Sequence, residues 1–239
     1  QQMTAIYKRE MLSYFTSPIG YVFVAVFLAL NAFIFSLYTL MAGDESSVGS
    51  YFTMVMFIFI ILVPLLTMKS FSEERRMRTE QLLLTSPVSL FGMVFAKFLA
   101  AFTMFGGTFI FGSLFNFAAL YKYCEEPNGA VIISDSLGIL LIGAAFIAIG
   151  IFVSSLTENQ LVAAVGTMGI LIFLLLVGLL TNYIDSYVVR TVINWISIYS
   201  RFGNFGYGIL DPATMVYYFS ICFVFMFLTV RIYEKRRWS

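Results

Sequence analysis

Six apolar stretches, each close to the length of a membrane-crossing helix, constrain this chain more than any other feature. A helix rises 1.5 Å per residue, so about 20 apolar residues cross a hydrocarbon core. The stretches are Ile19–Met41, Tyr51–Met68, Phe91–Leu120, Leu137–Leu156, Leu161–Thr181 and Ala213–Tyr233. None carries a charge at mid-depth, where each would oppose insertion by about 2.5–3.5 kcal/mol. The charges gather between the stretches. With 60% of its 239 residues apolar and 11% charged, the chain has more apolar surface than a soluble fold of this size can bury. The fold class expected is all-α: a polytopic membrane protein with six transmembrane helices, formed by residues 1–239 as a single domain. No cleavable leader is expected, because the first apolar run is too long for one and lacks a cleavage site.

The missing residues narrow the chemistry. The chain has no His and two Cys, which excludes His-based acid–base catalysis, Ser-His and Cys-His nucleophiles and His-ligated metals. Cys124 and Cys222 have no neighbouring ligand cluster, so two unpaired thiols are expected. A net charge of +1 offers no basic face for nucleic acid. There is no GxxxxGK[ST] phosphate loop, no pair of acids within the runs and no potassium-filter motif. No catalytic, cofactor-binding or metal-binding residue is expected.

Orientation follows from Lys and Arg. Six crossings put both termini on one side, with Lys8, Arg9, Lys69, Arg75, Arg76, Arg78, Lys97, Arg231, Lys235, Arg236 and Arg237; Lys122, Arg190 and Arg201 fall on the other. The positive-inside rule puts both termini in the cytoplasm. Asp44, Glu45, Glu125, Glu126, Asp135, Asp185 and Asp211 are then expected in outer loops. Ser17-Pro18, Ser86-Pro87 and Asp211-Pro212 read as caps followed by Pro at the first helical position. Thr157 to Gln160 reads as a capping box, and Pro64 is expected to kink the second span.

Three segments are neither spans nor simple loops. Thr4–Thr16 places Tyr7, Met11, Tyr14 and Phe15 on one face and Arg9, Ser13 and Thr16 opposite, as in an interfacial helix. Ser70–Pro87 opens on a Ser70/Glu73 capping box. It then carries Glu73, Glu74, Arg75, Arg76 and Arg78, Thr79, Glu80 and the apolar patch Leu82, Leu83 and Leu84. An exposed Leu triplet beside a charge run points to docking on a partner. Tyr187–Gly208 is amphipathic, with Arg190, Asn194, Ser197 and Arg201 on its polar face. It ends in Gly203, Gly206 and Gly208, which suits an outer, re-entrant or interfacial segment around a vestibule. Within the spans, Asn31 and Asn116 either pack helices together or line a pathway. Ala144/Ala148 and Gly150/Ser154 have the spacing that lets helices approach closely.

These features suggest a transport subunit powered from outside the chain. SFSEERRMRTEQLLLTSPVSLFGMVFAKFLA (Ser70–Ala100), IFVSSLTENQLVAA (Ile151–Ala164), YKREMLSYFTSPIGYV (Tyr7–Val22), GILDPATMVYYFS and the ending RIYEKRRW together resemble ABC-2 type permeases nearly end to end. The nearest subgroup is the gliding-motility type. Arg78 departs from the pattern, which has Gly there. The resemblance implies a non-catalytic membrane subunit of an ATP-driven transporter in a bacterial inner membrane. That subunit pairs with a second permease copy, identical or similar, and couples to a separate ATP-binding subunit that holds ATP and Mg. An auxiliary extracytoplasmic membrane protein is a further implied partner. Ser70–Gln81 would be the coupling helix, and Ser155–Gln160, with Thr157, Glu158, Asn159 and Gln160, a smaller second contact. Export is the leading expectation. A non-transporting complex doing mechanical work on an extracytoplasmic partner, and an ATP-independent channel or scaffold, are the alternatives.

Overall fold

The computed structural model describes residues 2–41, 48–79, 89–123, 129–180, 187–203 and 205–238. Ten α-helices occur among them, and no strand: α1 (Gln2–Thr16), α2 (Pro18–Phe35, continuing through a π-helical turn, Ser36–Leu40), α3 (Val48–Thr67), α4 (Ser72–Arg76), α5 (Leu90–Tyr123), α6 (Gly129–Leu156), α7 (Gln160–Leu180), α8 (Tyr187–Ile196), α9 (Ile198–Phe202) and α10 (Pro212–Trp238). The six long ones, α2, α3, α5, α6, α7 and α10, are long and apolar enough to cross a membrane.

Burial orders these six. The apolar windows of α3 and α6 are each 72% buried inside the chain, against 28% for α2 and 33% for α7 and α10. The helices α3 and α6 therefore form the centre, and α2, α5, α7 and α10 pack around them. Small residues let the backbones meet. A Cβ on Gly150 would lie 2.2 Å from Thr67 Oγ1, so α6 can press on α3 there only without a side chain. Phe27, Phe59, Phe105 and Phe109 fill the space between α2, α3 and α5, with the Phe59 and Phe105 rings 4.5 Å apart. Pro64 lies within α3, which runs on for less than a turn and ends at Thr67. Cys222 is buried and unpaired; Cys124 lies outside the described residues.

Helix starts follow local chemistry, with revisions. Ser17 Oγ accepts from the Ile19 amide at 3.4 Å, and Asp211 Oδ1 accepts from the Ala213 amide at 3.0 Å. Ser86-Pro87 lies outside the described residues; Ser89 caps α5 through the Gly92 amide at 3.2 Å. The cap of α7 is Asn159, whose Oδ1 accepts from the Leu161 amide at 2.9 Å, rather than a Thr157 box. The helix α6 begins at Gly129 and not at Leu137, so Asp135 is helical and fully buried instead of sitting in a loop. Neither of its carboxylate oxygens has a hydrogen-bond partner among the described residues. The turn Phe205–Tyr207 covers it: a Cβ on Gly206 would come within 4.0 Å of Asp135 Oδ1. Of the three glycines that close this segment, Gly208 alone takes a left-handed φ, +74°.

The helix α1 lies against α5 and α2. Its inward face is Ile6, Tyr7, Glu10, Met11 and Tyr14, which differs from the expected apolar face. Phe15 points out, 51% exposed, because it is one position beyond the stripe that Tyr14 ends. The chain then turns sharply into α2, where a Cβ on Gly20 would strike the Tyr14 carbonyl at 2.2 Å.

Candidate functional site

The short helix α4 sits at the end of the bundle that carries both termini and eleven of the fourteen Lys and Arg; this is the basic end. A helix this short leaves most of its amides without an internal partner. The expected Ser70/Glu73 capping box does not form. Ser154, from α6, caps the helix instead: its Oγ accepts from the Phe71 and Ser72 amides at 3.1 and 3.2 Å and donates to the Met68 carbonyl at 3.1 Å. The Ser70 carbonyl is taken by Lys97 Nζ at 2.6 Å. The expected helix over Ser70–Gln81 is therefore shorter, and its N-terminus is fixed by α5 and α6.

Its C-terminus is fixed by backbone geometry. The Thr79 amide donates to the Glu74 carbonyl at 3.0 Å, and the Arg78 amide to the Arg75 carbonyl at 3.1 Å. That pair of bonds is a Schellman motif, which needs a left-handed residue where Arg78 stands. Arg78 has φ 55°. Gly takes this conformation without a Cβ penalty, which explains physically why a Gly would suit the position that Arg occupies.

A charge cluster pins α4 to the rest of the fold. Lys97, on α5, is 2% exposed. Its ammonium lies 2.8 Å from Glu10 Oε1 and 3.0 Å from Glu74 Oε1, and 4.9 Å from the centre of the Phe71 ring. Arg9 closes the cluster, 2.5 Å from Glu74 and 3.1 Å from Glu10. Two cations and two carboxylates thus join α1, α4 and α5 with no net charge. Burial alone would push the Glu10 carboxyl up. The Lys97 charge and hydrogen bonds from Lys97 and Arg9 outweigh it and hold the carboxyl below its ordinary value. Sequence reading left Glu10 and Lys97 out of the site. Their signal was weak: a lone Lys inside an apolar run and a lone Glu on an apolar face, each of which needs a buried partner.

The residues expected at a coupling interface separate into inward and outward groups. Glu74 turns inward. Glu73 is half-exposed beside Lys69, at 3.9 Å. Arg75 reaches the α6–α7 turn, where its Nε meets Glu158 at 2.9 Å and its NH1 the Leu156 carbonyl at 3.0 Å. This contact joins Glu158 to α4, with Thr157, Asn159 and Gln160 alongside at the start of α7. Arg236, on α10, donates to the Ser155 carbonyl at 2.9 Å, and Phe71 packs on Tyr233, ring centres 4.8 Å apart. Arg76, Met77, Arg78 and Thr79 remain exposed. Glu80, Leu82, Leu83 and Leu84 lie outside the described residues.

At the other end, Asn31 and Asn116 meet through Tyr51. The Tyr51 hydroxyl donates to Asn31 Oδ1 at 2.6 Å and accepts from Asn116 Nδ2 at 3.3 Å. Both Asn are buried, and a Cβ on Gly112 would lie 2.7 Å from the Asn31 amide nitrogen. The bridge ties α2, α3 and α5 together. In the amphipathic segment before α10, Arg190 is exposed, Asn194 half-buried and Ser197 fully buried. Ser197 caps α9 by accepting from the Ser200 amide at 3.0 Å. The Arg201 guanidinium lies over Tyr217, 4.4 Å from the ring centre. These four residues do not share one open surface. One exposed face of α8 is apolar, with Val188, Val192, Trp195 and Ile196.

Residues 28–233 match the profile of a protein family described as ABC-2 family transporter protein. No individual curated protein matches the chain. The match covers most of the sequence and all but the start of the six-helix bundle, and the chain belongs to this family. It is thus a multi-pass membrane protein, the permease subunit of an ABC transporter, of a kind that pairs with an ATP-binding subunit.

Proposed function

We propose that this ABC-2 permease is the membrane half of an exporter, driven by an ATP-binding subunit that docks on the outward face of α4 and its closing turn. The observation that carries this reading is the contrast between the two faces of α4. Its inward side is held by α1, α5, α6 and the start of α7 through the Lys97 cluster, the Ser154 cap and the Arg75–Glu158 pair. Its outward side offers Arg76, Met77, Arg78 and Thr79 to a partner. A rigid mount with an exposed tip transmits a push into several spans at once, whereas a free surface helix would absorb it.

In this reading the basic end faces the cytoplasm of a bacterium, with both termini there, and a second permease copy completes the membrane part. ATP and Mg stay with the ATP-binding subunit. The gliding-motility subgroup and an auxiliary extracytoplasmic protein belong to the same proposal. Closure of the ATP-binding subunits biases the bundle only if the contacts at α4 differ between the two arrangements. Asn31 and Asn116, bridged by Tyr51, hold α2, α3 and α5 in register.

The test is a cross-link. Met77→Cys, in the otherwise functional complex, is expected to form a bond to a cysteine placed in the groove of the ATP-binding subunit, in a yield that changes when ATP replaces ADP. Equal yield in both states, or cross-linking from an exposed control such as Trp195→Cys instead, overturns the assignment.

A further inference from the structure

At the basic end, the start of α5 and the last turns of α10 flank an open groove of about 680 Å³. Its apolar lining is Leu90, Phe91 and Val230, and its cationic lining is Arg231, Lys235 and Arg237. Glu234, also in the lining, pairs with Arg231 at 2.7 Å. Lys235 and Arg237 have no carboxylate partner among the described residues. Ser89 borders the groove as the cap of α5, so the positive end of a 34-residue helix also faces it.

The surface leading into this groove is ordered in the same direction. Phe219, Phe223 and Phe227 follow one another at four-residue spacing on α10, all exposed, which is one ridge of a helix. The Phe223 and Phe227 rings stack at 6.4 Å. The next position on the ridge is Arg231, whose guanidinium lies 4.9 Å from the Phe227 ring centre, and the next is Lys235. An apolar ridge long enough for an acyl chain thus runs straight into a cationic pocket at the membrane boundary. Arg236, one residue on, turns the other way to the Ser155 carbonyl.

We infer that this groove is a binding site for the phosphate headgroup of an anionic phospholipid. The phosphate sits between Lys235, Arg237 and the start of α5, and an acyl chain lies along Phe227, Phe223 and Phe219. The inference goes beyond the coupling role of α4 and shares no residue with it.

The test uses the full chain in nanodiscs of equal phosphatidylglycerol and phosphatidylcholine. Both leaflets then have the same composition, and the result does not depend on the proposed orientation. After gentle transfer to detergent, retained lipids are counted by native mass spectrometry. The wild-type chain is expected to retain phosphatidylglycerol over phosphatidylcholine, and Lys235→Gln/Arg237→Gln to lower that preference by about tenfold with an unchanged melting temperature. Lys8→Gln, an exposed cation at the same end but outside the groove, is expected to retain it. The inference is overturned if the double variant keeps the preference, if Lys8→Gln loses it equally, or if millimolar inorganic phosphate displaces the retained lipid. The last result would mark a free-anion site.

Discussion

Replacing Lys97 by Met tests whether the charge cluster mounts α4. Met is close to Lys in length and removes only the ammonium. In the native fold that ammonium contacts Glu10 at 2.8 Å, Glu74 at 3.0 Å and the Ser70 carbonyl at 2.6 Å. The Glu10 and Glu74 side chains are only 13% and 15% exposed. Without Lys97 the cluster carries a net negative charge, and its one remaining cation, Arg9, is largely exposed and screened. Breaking a buried pair from one side typically costs about 3–5 kcal/mol. The expected loss lies in that range, measured by equilibrium unfolding in mixed micelles of rising dodecyl sulfate fraction. Most of that cost is a buried charge left unmatched, not the intrinsic worth of the pair. The combination Lys97→Met/Glu10→Gln/Glu74→Gln, which leaves only the half-exposed Arg9 charged, is therefore expected to recover most of the stability. A single variant within about 0.5 kcal/mol of wild type, or a triple variant no better than the single, refutes this reasoning.

Three further outcomes follow from the same geometry. Arg78→Gly is expected to stabilise the turn after α4 by about 1 kcal/mol, by removing the Cβ from a left-handed position, and Arg78→Val to destabilise it; thermal unfolding of the two in the same detergent checks the signs. Tyr51→Phe leaves Asn31 and Asn116 without their shared hydroxyl and is expected to cost about 1–3 kcal/mol, again by unfolding. For pH, Glu10 titrates below its ordinary value of 4.5 when folded. The unfolded chain therefore binds the proton first, and stability rises with pH through that window. The contribution is full above about pH 4.5 and is lost as pH falls toward the depressed value, a loss that Glu10→Gln is expected to remove.

The bundle itself was legible because lipid solvent demands long apolar helices with satisfied backbones, and that demand is written locally in each run. Caps formed by neighbours in sequence, at Ser17 and Asp211, were equally legible. Contacts between distant residues were hidden. Ser154 caps a helix that starts far earlier in the chain, and Glu10, Glu74 and Lys97 come together from three separate segments. The charge run of 73–78 reads in sequence as one docking face, but Glu74 is turned inward by partners that no local pattern announces. Asp135 was assigned to a loop because the apolar run starts at Leu137; the helix begins earlier, and the turn at Phe205 buries the carboxylate. Phe15 fell on the wrong side of α1 because the stripe there is narrow and ends at Tyr14. Arg78 shows the reverse. The deviation from a Gly pattern was visible in the sequence, and its physical meaning became visible only with the Schellman bonds.

The most direct test of the central claim is to extract the tagged chain gently from its native membrane and identify by mass what accompanies it. The account predicts an ATP-binding protein in equal amount, lost in Arg76→Glu/Arg78→Glu while the permease remains folded. A stable oligomer of this chain alone, or an ATP-binding protein retained by that double variant as in wild type, would contradict it.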